Sequence, residues 1–102
     1  MHFHIDAPEV NITGLIDDIV DEGIAINLTC AAYVNGPVNI SWAKVGSDDV
    51  LNSTKVNQHS IALEFEAVHR SDNGSYICHA VTDLGESDKE EIKIKVRGMY
   101  WI

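Results

Sequence analysis

Apolar and polar residues alternate along most of this 102-residue chain with a period of two. In Ile24-Ala25-Ile26-Asn27-Leu28-Thr29-Cys30, the residues Ile24, Ile26, Leu28 and Cys30 share one face, and Asn27 and Thr29 take the other. That pattern predicts a half-buried strand. Ile40 and Trp42 repeat it, with Asn39 and Ser41 outward. Ile61, Leu63 and Phe65 face in against Glu64 and Glu66, and Tyr76, Cys78 and Ala80 face in against Ile77 and His79. Ile92, Ile94 and Val96 stand against Glu91, Lys93, Lys95 and Arg97. Asn35-Gly36-Pro37, Gly46-Ser47-Asp48-Asp49, Ser71-Asp72-Asn73-Gly74 and Asp83-Leu84-Gly85 supply turn chemistry between these runs. The residues before Asn73 also suit a short helical corner. Segment 15–22 carries apolar residues at i, i+1, i+4 and i+5, which a helix would use. Gly14 and Gly23 bracket only eight residues there, so the segment is assigned as an edge strand. The predicted class is all-β. No internal repeat or low-complexity stretch interrupts it.

The length fits one domain with a thin core that profits from a staple. Cys30 and Cys78, the two cysteines, enclose 47 residues. Joined, they would stabilise the fold by roughly 4 kcal/mol in the chain-entropy account and imply an oxidising compartment. Neither has a Cys or His at two-to-four-residue spacing, which argues against a zinc site. Sixteen acidic residues against seven basic ones give a formal charge of −9. That balance argues against nucleic acid, heparin-like polyanions and an anionic membrane surface, and leaves a basic partner open. No run approaches the roughly 18 apolar residues of a membrane helix, so no membrane insertion by this segment is expected. Met1-His2-Phe3-His4-Ile5 lacks the features of a signal peptide. The chain reads as a piece of a longer protein with an added start methionine.

Cys30, then Trp42 twelve positions on, then Asp72-x-Gly74-x-Tyr76-x-Cys78 form a jointly specific spacing. Val20-Asp21-Glu22-Gly23, Leu28-x-Cys30-x-Ala32, Gly36 to Trp42, Leu63-x-Phe65-x-x-Val68, Gly85 and Ile94-x-Val96 extend it over nearly the whole chain. Together they resemble an immunoglobulin domain of the intermediate, or I-set, type, with a looser similarity to nectin-like and perlecan modules. The resemblance implies an antiparallel Greek-key β-sandwich over about 7–97, with 1–6 and 98–102 flanking it. It further implies a Cys30–Cys78 disulfide between the sheets, Trp42 packed on the sulfurs, and a Tyr76 hydroxyl clamping the turn before Cys78. Leu63 and Gly74 complete the signature. The 48-position cysteine separation is short for an antibody variable domain, so a C″ strand is not expected. Segment 11–18 departs from the family pattern, being rich in Ile and Asp and lacking a second proline.

Five of the seven asparagines, Asn11, Asn27, Asn39, Asn52 and Asn73, stand in Asn-x-Ser/Thr sequons. Chance at this Ser and Thr content predicts about one. Outward strand positions favour Asn and Thr anyway, which is the competing explanation. Carbohydrate needs a solvent-facing asparagine in the secretory pathway. By the alternation Asn27 and Asn39 both face out, and the resemblance implies that they stand on opposite sheets. Sugar on both would partly block each broad face and favour contacts through loops, edges or domain junctions.

No catalytic residue is expected. His69-Arg70-Ser71-Asp72 sets His, Ser and Asp side by side, but a triad converges from separate elements, and no Gly-x-Ser-x-Gly elbow is present. His2, His4 and His59 read as surface histidines. No metal or cofactor is expected, and no calcium loop motif occurs. Ile77, His79 and Val81 point outward as a candidate protein contact. Asp48 and Asp49, after the strand that holds Ile40 and Trp42, are a second candidate. The expected function is a non-enzymatic extracellular module that binds other proteins or spaces domains in an adhesion or receptor protein. The alternatives are a structural module of an intracellular muscle-type array and a ligand-binding ectodomain module of a receptor kinase.

Overall fold

The computed structural model describes residues 7–15, 18–48 and 51–98. Among them the alternating segments form β1 (Glu9–Thr13), β2 (Ile19–Asp21), β3 (Ile26–Tyr33), β4 (Val38–Lys44), β5 (Ser53–Asn57), β6 (Ser60–Phe65), β7 (Gly74–Thr82) and β8 (Ser87–Arg97). A single 3-10 turn, Arg70–Asp72, leads into β7 and realises the helical corner expected there. Two four-stranded sheets result, ordered β1-β3-β6-β5 and β2-β8-β7-β4. All pairings are antiparallel except that of β2 with β8. The chain changes sheet between β1 and β2, β2 and β3, β3 and β4, β4 and β5, and β6 and β7. No strand stands between β4 and β5 among the described residues, and β5 joins β6.

The inward residues of both sheets make the core. Leu28, Cys30, Val68, Cys78 and Ala80 are wholly buried, and Val10, Ile26, Ile40, Trp42, Ile61, Leu63, Tyr76 and Ile94 join them. Burying each large apolar side chain stabilises the fold by roughly 1.5–3 kcal/mol. The Val10 N–H donates to Asp88 Oδ2 at 3.0 Å and ties the edge of the first sheet to the last strand of the second.

Two expectations are corrected. Segment 15–22 is not one edge strand: only Ile19–Asp21 pairs, parallel to Lys95–Arg97, while residues 16 and 17 lie outside the described residues. The reason is Gly14. At φ +122° it turns the chain out of β1, and its Cα passes so close to β3 that an added Cβ would meet the Asn27 carbonyl oxygen. The chain therefore leaves the first sheet at Thr13 and joins the second at Ile19. Ile24, expected inward with Ile26, is instead 51% exposed. Its backbone belongs to a turn, with its N–H donating to the Asp21 carbonyl and its carbonyl accepting from Val68, so the alternation starts only at Ile26.

One burial has no counterpart in the alternation. Ala62 and Ser60 point to the outer face of the first sheet and are nevertheless buried. They are small, and longer neighbours on β3 and β5 cover them: Thr29 and Thr54 flank Ala62, and Asn57 flanks Ser60.

Candidate interaction surface

The scaffold is pinned where β3 meets β7. Cys30 and Cys78 form a disulfide with a Cα–Cα distance of 6.4 Å. Trp42 pairs with Cys78 in the β4–β7 register, which sets the indole beside the bridge. Its Nε1–H donates to the Ile61 carbonyl of the opposite sheet at 3.2 Å, so the buried indole is not left with an orphan donor.

The corner before β7 is built around Tyr76. Its hydroxyl donates to the Asp72 carbonyl. Burial, aided by the nearby Asp72 carboxylate, pushes the phenol up to about 12. Phe65 meets the Tyr76 ring edge-on with centroids 5.6 Å apart. Lys44 lies over the other side, its Nζ 5.6 Å from the ring centroid and donating to the Ser71 carbonyl at 2.7 Å. Gly74 has φ +146°, and a Cβ there would press on the Lys44 stem at 3.1 Å. This explains the glycine between Asp72 and Tyr76. The part played by Lys44 was not foreseen from the sequence, because nothing local to Lys44 marks it as the cover of a tyrosine 32 positions away.

All five sequon asparagines are exposed. Asn11 lies on β1, Asn27 on β3 and Asn52 just before β5, all toward the outer face of the first sheet. Asn39 lies on β4, directly across from Val81 on β7. Asn73 caps the 3-10 turn, and its Oδ1 accepts from the Val96 N–H at 2.8 Å. Asn52 exchanges bonds with Glu64: its Nδ2 donates to the Glu64 carbonyl at 3.4 Å, and the Glu64 N–H donates to the Asn52 carbonyl at 3.0 Å. Glu64 is also the register partner of Asn27. The pair Asn27 and Asn52 therefore shares one row across the sheet. That adjacency is set by strand register, which sequon spacing does not encode.

On the outer face of the second sheet, Ile77, His79 and Val81 form one strip along β7. His79 is exposed and the two apolar residues are half-buried. Ala43 and Glu91 flank Ile77, Ser41 and Lys89 flank His79, and Asn39 and Ser87 flank Val81. Lys89, Lys93, Lys95 and Arg97 share the outward side of β8 beside this strip. Arg97 Nε also donates to Asp21 Oδ1 at 2.8 Å, joining β8 to β2. Asp48 is exposed after β4, away from the strip, and Asp49 lies outside the described residues. His59 Nε2 is 2.9 Å from the Gly36 carbonyl and links the β5–β6 turn to the β3–β4 loop. His69, Ser71 and Asp72 lie around the 3-10 turn, where the Asp72 carboxylate accepts from the His69 backbone N–H rather than from its ring. The arrangement is a capping box, not a triad. Among the described residues no three His, Cys, Asp or Glu side chains converge as a metal set.

The family model described as "Immunoglobulin domain" matches residues 8–81. "Kin of IRRE-like protein 3" of Mus musculus is 31% identical over 80 residues, covering 78% of this chain and 10% of the relative. "Protein amalgam" of Drosophila melanogaster is 33% identical over 81 residues, covering 76% of this chain and 23% of the relative. The chain thus spans at most a quarter of either relative's length. The solved structure of the Dscam1 Ig7 domain, isoform 9, superposes over 88% of this chain and 99% of that one with a TM-score of 0.77 at 18% identity, a likeness of fold.

Proposed function

The chain belongs to the immunoglobulin domain family, and from that membership we propose that it is an extracellular, non-enzymatic module of a multidomain cell-adhesion or receptor protein. It binds other proteins or holds neighbouring domains apart, with a module spanning about 7–97. The observation that carries this reading is the excess of sequons, five where chance predicts about one. All five asparagines are exposed, as a glycan requires, although the two outside sequons, Asn35 and Asn57, are exposed as well. The Cys30–Cys78 disulfide supports the same compartment. The relatives are immunoglobulin-domain proteins of the cell-adhesion type, which supports protein partners. Two protein contacts are candidates: the β7 strip of Ile77, His79 and Val81, whose Val81 end lies across from the sequon Asn39 and is open only when Asn39 carries no sugar, and Asp48 with Asp49 after β4.

The test is intact mass of the protein secreted from animal cells, measured before and after reduction and before and after enzymatic removal of N-glycans. The extracellular reading expects a gain of two hydrogens on reduction and a loss of sugar mass on deglycosylation. A dithiol without sugar would overturn it in favour of a structural module of an intracellular array. The flanking chain separates an adhesion parent from a receptor kinase.

A further inference from the structure

We propose that N-linked carbohydrate at Asn11, Asn27 and Asn52 covers the outer face of the β1-β3-β6-β5 sheet and closes it to protein partners. The proposal rests on the extracellular reading above. Three sequons on three different strands would not be grouped by any reading of the sequence in order. The register groups them. Asn11, Ala31, Ser60 and Asn57 form one row across the sheet. Thr13, Thr29, Ala62 and Thr54 form the next. Asn27, Glu64 and Asn52 form the third. Adjacent strands lie about 4.8 Å apart, so Asn27 and Asn52 stand about 10 Å from each other. Asn11 lies about 13 Å away along the strands. The face is thus held at one end by one anchor and at the other by two.

The positions between the anchors argue the same way. Thr13, Thr29, Ala31, Thr54, Ser60 and Ala62 carry no aromatic or Arg side chain of the kind that dominates protein interfaces; the exposed Tyr33 lies outside them, one row beyond Asn11. Their shortness leaves room over the sheet for sugar rings. Within each sequon the pleat puts the acceptor asparagine and its Thr on the outer side: Asn11 with Thr13, Asn27 with Thr29, and Asn52 with Thr54. Glycosylation there consumes no core contact, since the middle residues Ile12 and Leu28 turn inward.

The modification is a glycosyl transfer. The asparagine Nδ2 forms a bond to the anomeric carbon of an oligosaccharide carried on a polyprenyl pyrophosphate. The anomeric carbon–oxygen bond breaks, the lipid pyrophosphate leaves, and one amide proton passes to a base of the membrane transferase. No electrons are exchanged with an oxidant or reductant.

The experiment uses the protein secreted from animal cells. Enzymatic deglycosylation in heavy-oxygen water converts each occupied asparagine to a labelled aspartate, which peptide mass mapping locates. The expected result is label at two or more of Asn11, Asn27 and Asn52 in most molecules. Label confined to Asn39 and Asn73, or at fewer than two of the three, overturns the proposal while leaving the extracellular reading intact. Label nowhere overturns the proposal, and the extracellular reading with it when Cys30 and Cys78 are also found as free thiols. Closure of the face is read with antibody fragments raised on the deglycosylated protein and mapped to this face by loss of binding to Glu64→Lys. They are expected to bind the glycosylated protein about 100-fold more weakly. Equal binding to both forms overturns the closure.

Discussion

The Tyr76 hydroxyl donates to the backbone carbonyl of Asp72, four residues earlier, and so fastens the 3-10 turn to the first residues of β7. The contact joins the most buried phenol among the described residues to the corner that aims β7 at the disulfide.

The burial of this phenol gives an alkaline limit to stability. The folded phenol ionises near 12, above the roughly 10 of an unfolded tyrosine, because burial disfavours the phenolate. The folded state therefore holds the proton more tightly. Its stabilising contribution is complete below about pH 10 and is lost as pH rises from there to about 12. Urea unfolding across that window should show a falling midpoint. Tyr76→Phe should flatten the fall while costing about 1 kcal/mol at neutral pH; an unchanged alkaline slope in the variant would assign the effect elsewhere.

Removing the Cys30–Cys78 bridge should be more costly. The paired Cys30→Ala and Cys78→Ala variant should lose about 2–5 kcal/mol, a large part of a small domain's stability. Thermal unfolding of the variant and of the oxidised parent measures the difference. A loss below about 1 kcal/mol would mean that the indole and the two sheets hold without the cross-link.

Gly14→Ala should destabilise by about 2–4 kcal/mol, since it combines an unfavourable positive φ with a Cβ driven into the Asn27 carbonyl. Hydrogen exchange should show loosening at the β1–β3 pairing near Thr13 and Thr29 before it reaches β7. Uniform loosening would place the strain elsewhere.

The Arg97–Asp21 pair should contribute little. Both side chains are well exposed, and a double-mutant cycle on Asp21→Asn and Arg97→Gln should give at most about 1 kcal/mol, shrinking with added salt. A larger, salt-insensitive coupling would make this pair the principal anchor of β2.

Much of the core was legible because burial in a half-exposed strand follows a period of two, and Leu28, Cys30, Ile40, Trp42, Leu63, Tyr76 and Cys78 obey it. Ile24 broke the rule because a turn, not a strand, sets its direction, and turn conformation depends on hydrogen bonds to Asp21 and Val68. The edge segment after Gly14 broke it because a strand three residues long carries too little pattern to announce its partner. For the candidate surfaces, the outward direction of Asn27, Asn39, His79 and their neighbours was readable from the same alternation. Which of them lie side by side was not.

By itself the order of residues determined the all-β class, the inward and outward sides of most strands, the turns and the positions of the sequons, because each depends on neighbours a few residues apart. Register between distant strands was decided only by tertiary packing. It sets Asn27 and Asn52 on either side of Glu64, Asn39 opposite Val81, and Lys44 over Tyr76. A one-residue slip would turn every side chain of a strand to the other face, so those neighbourhoods exist only once two buried faces have locked against each other.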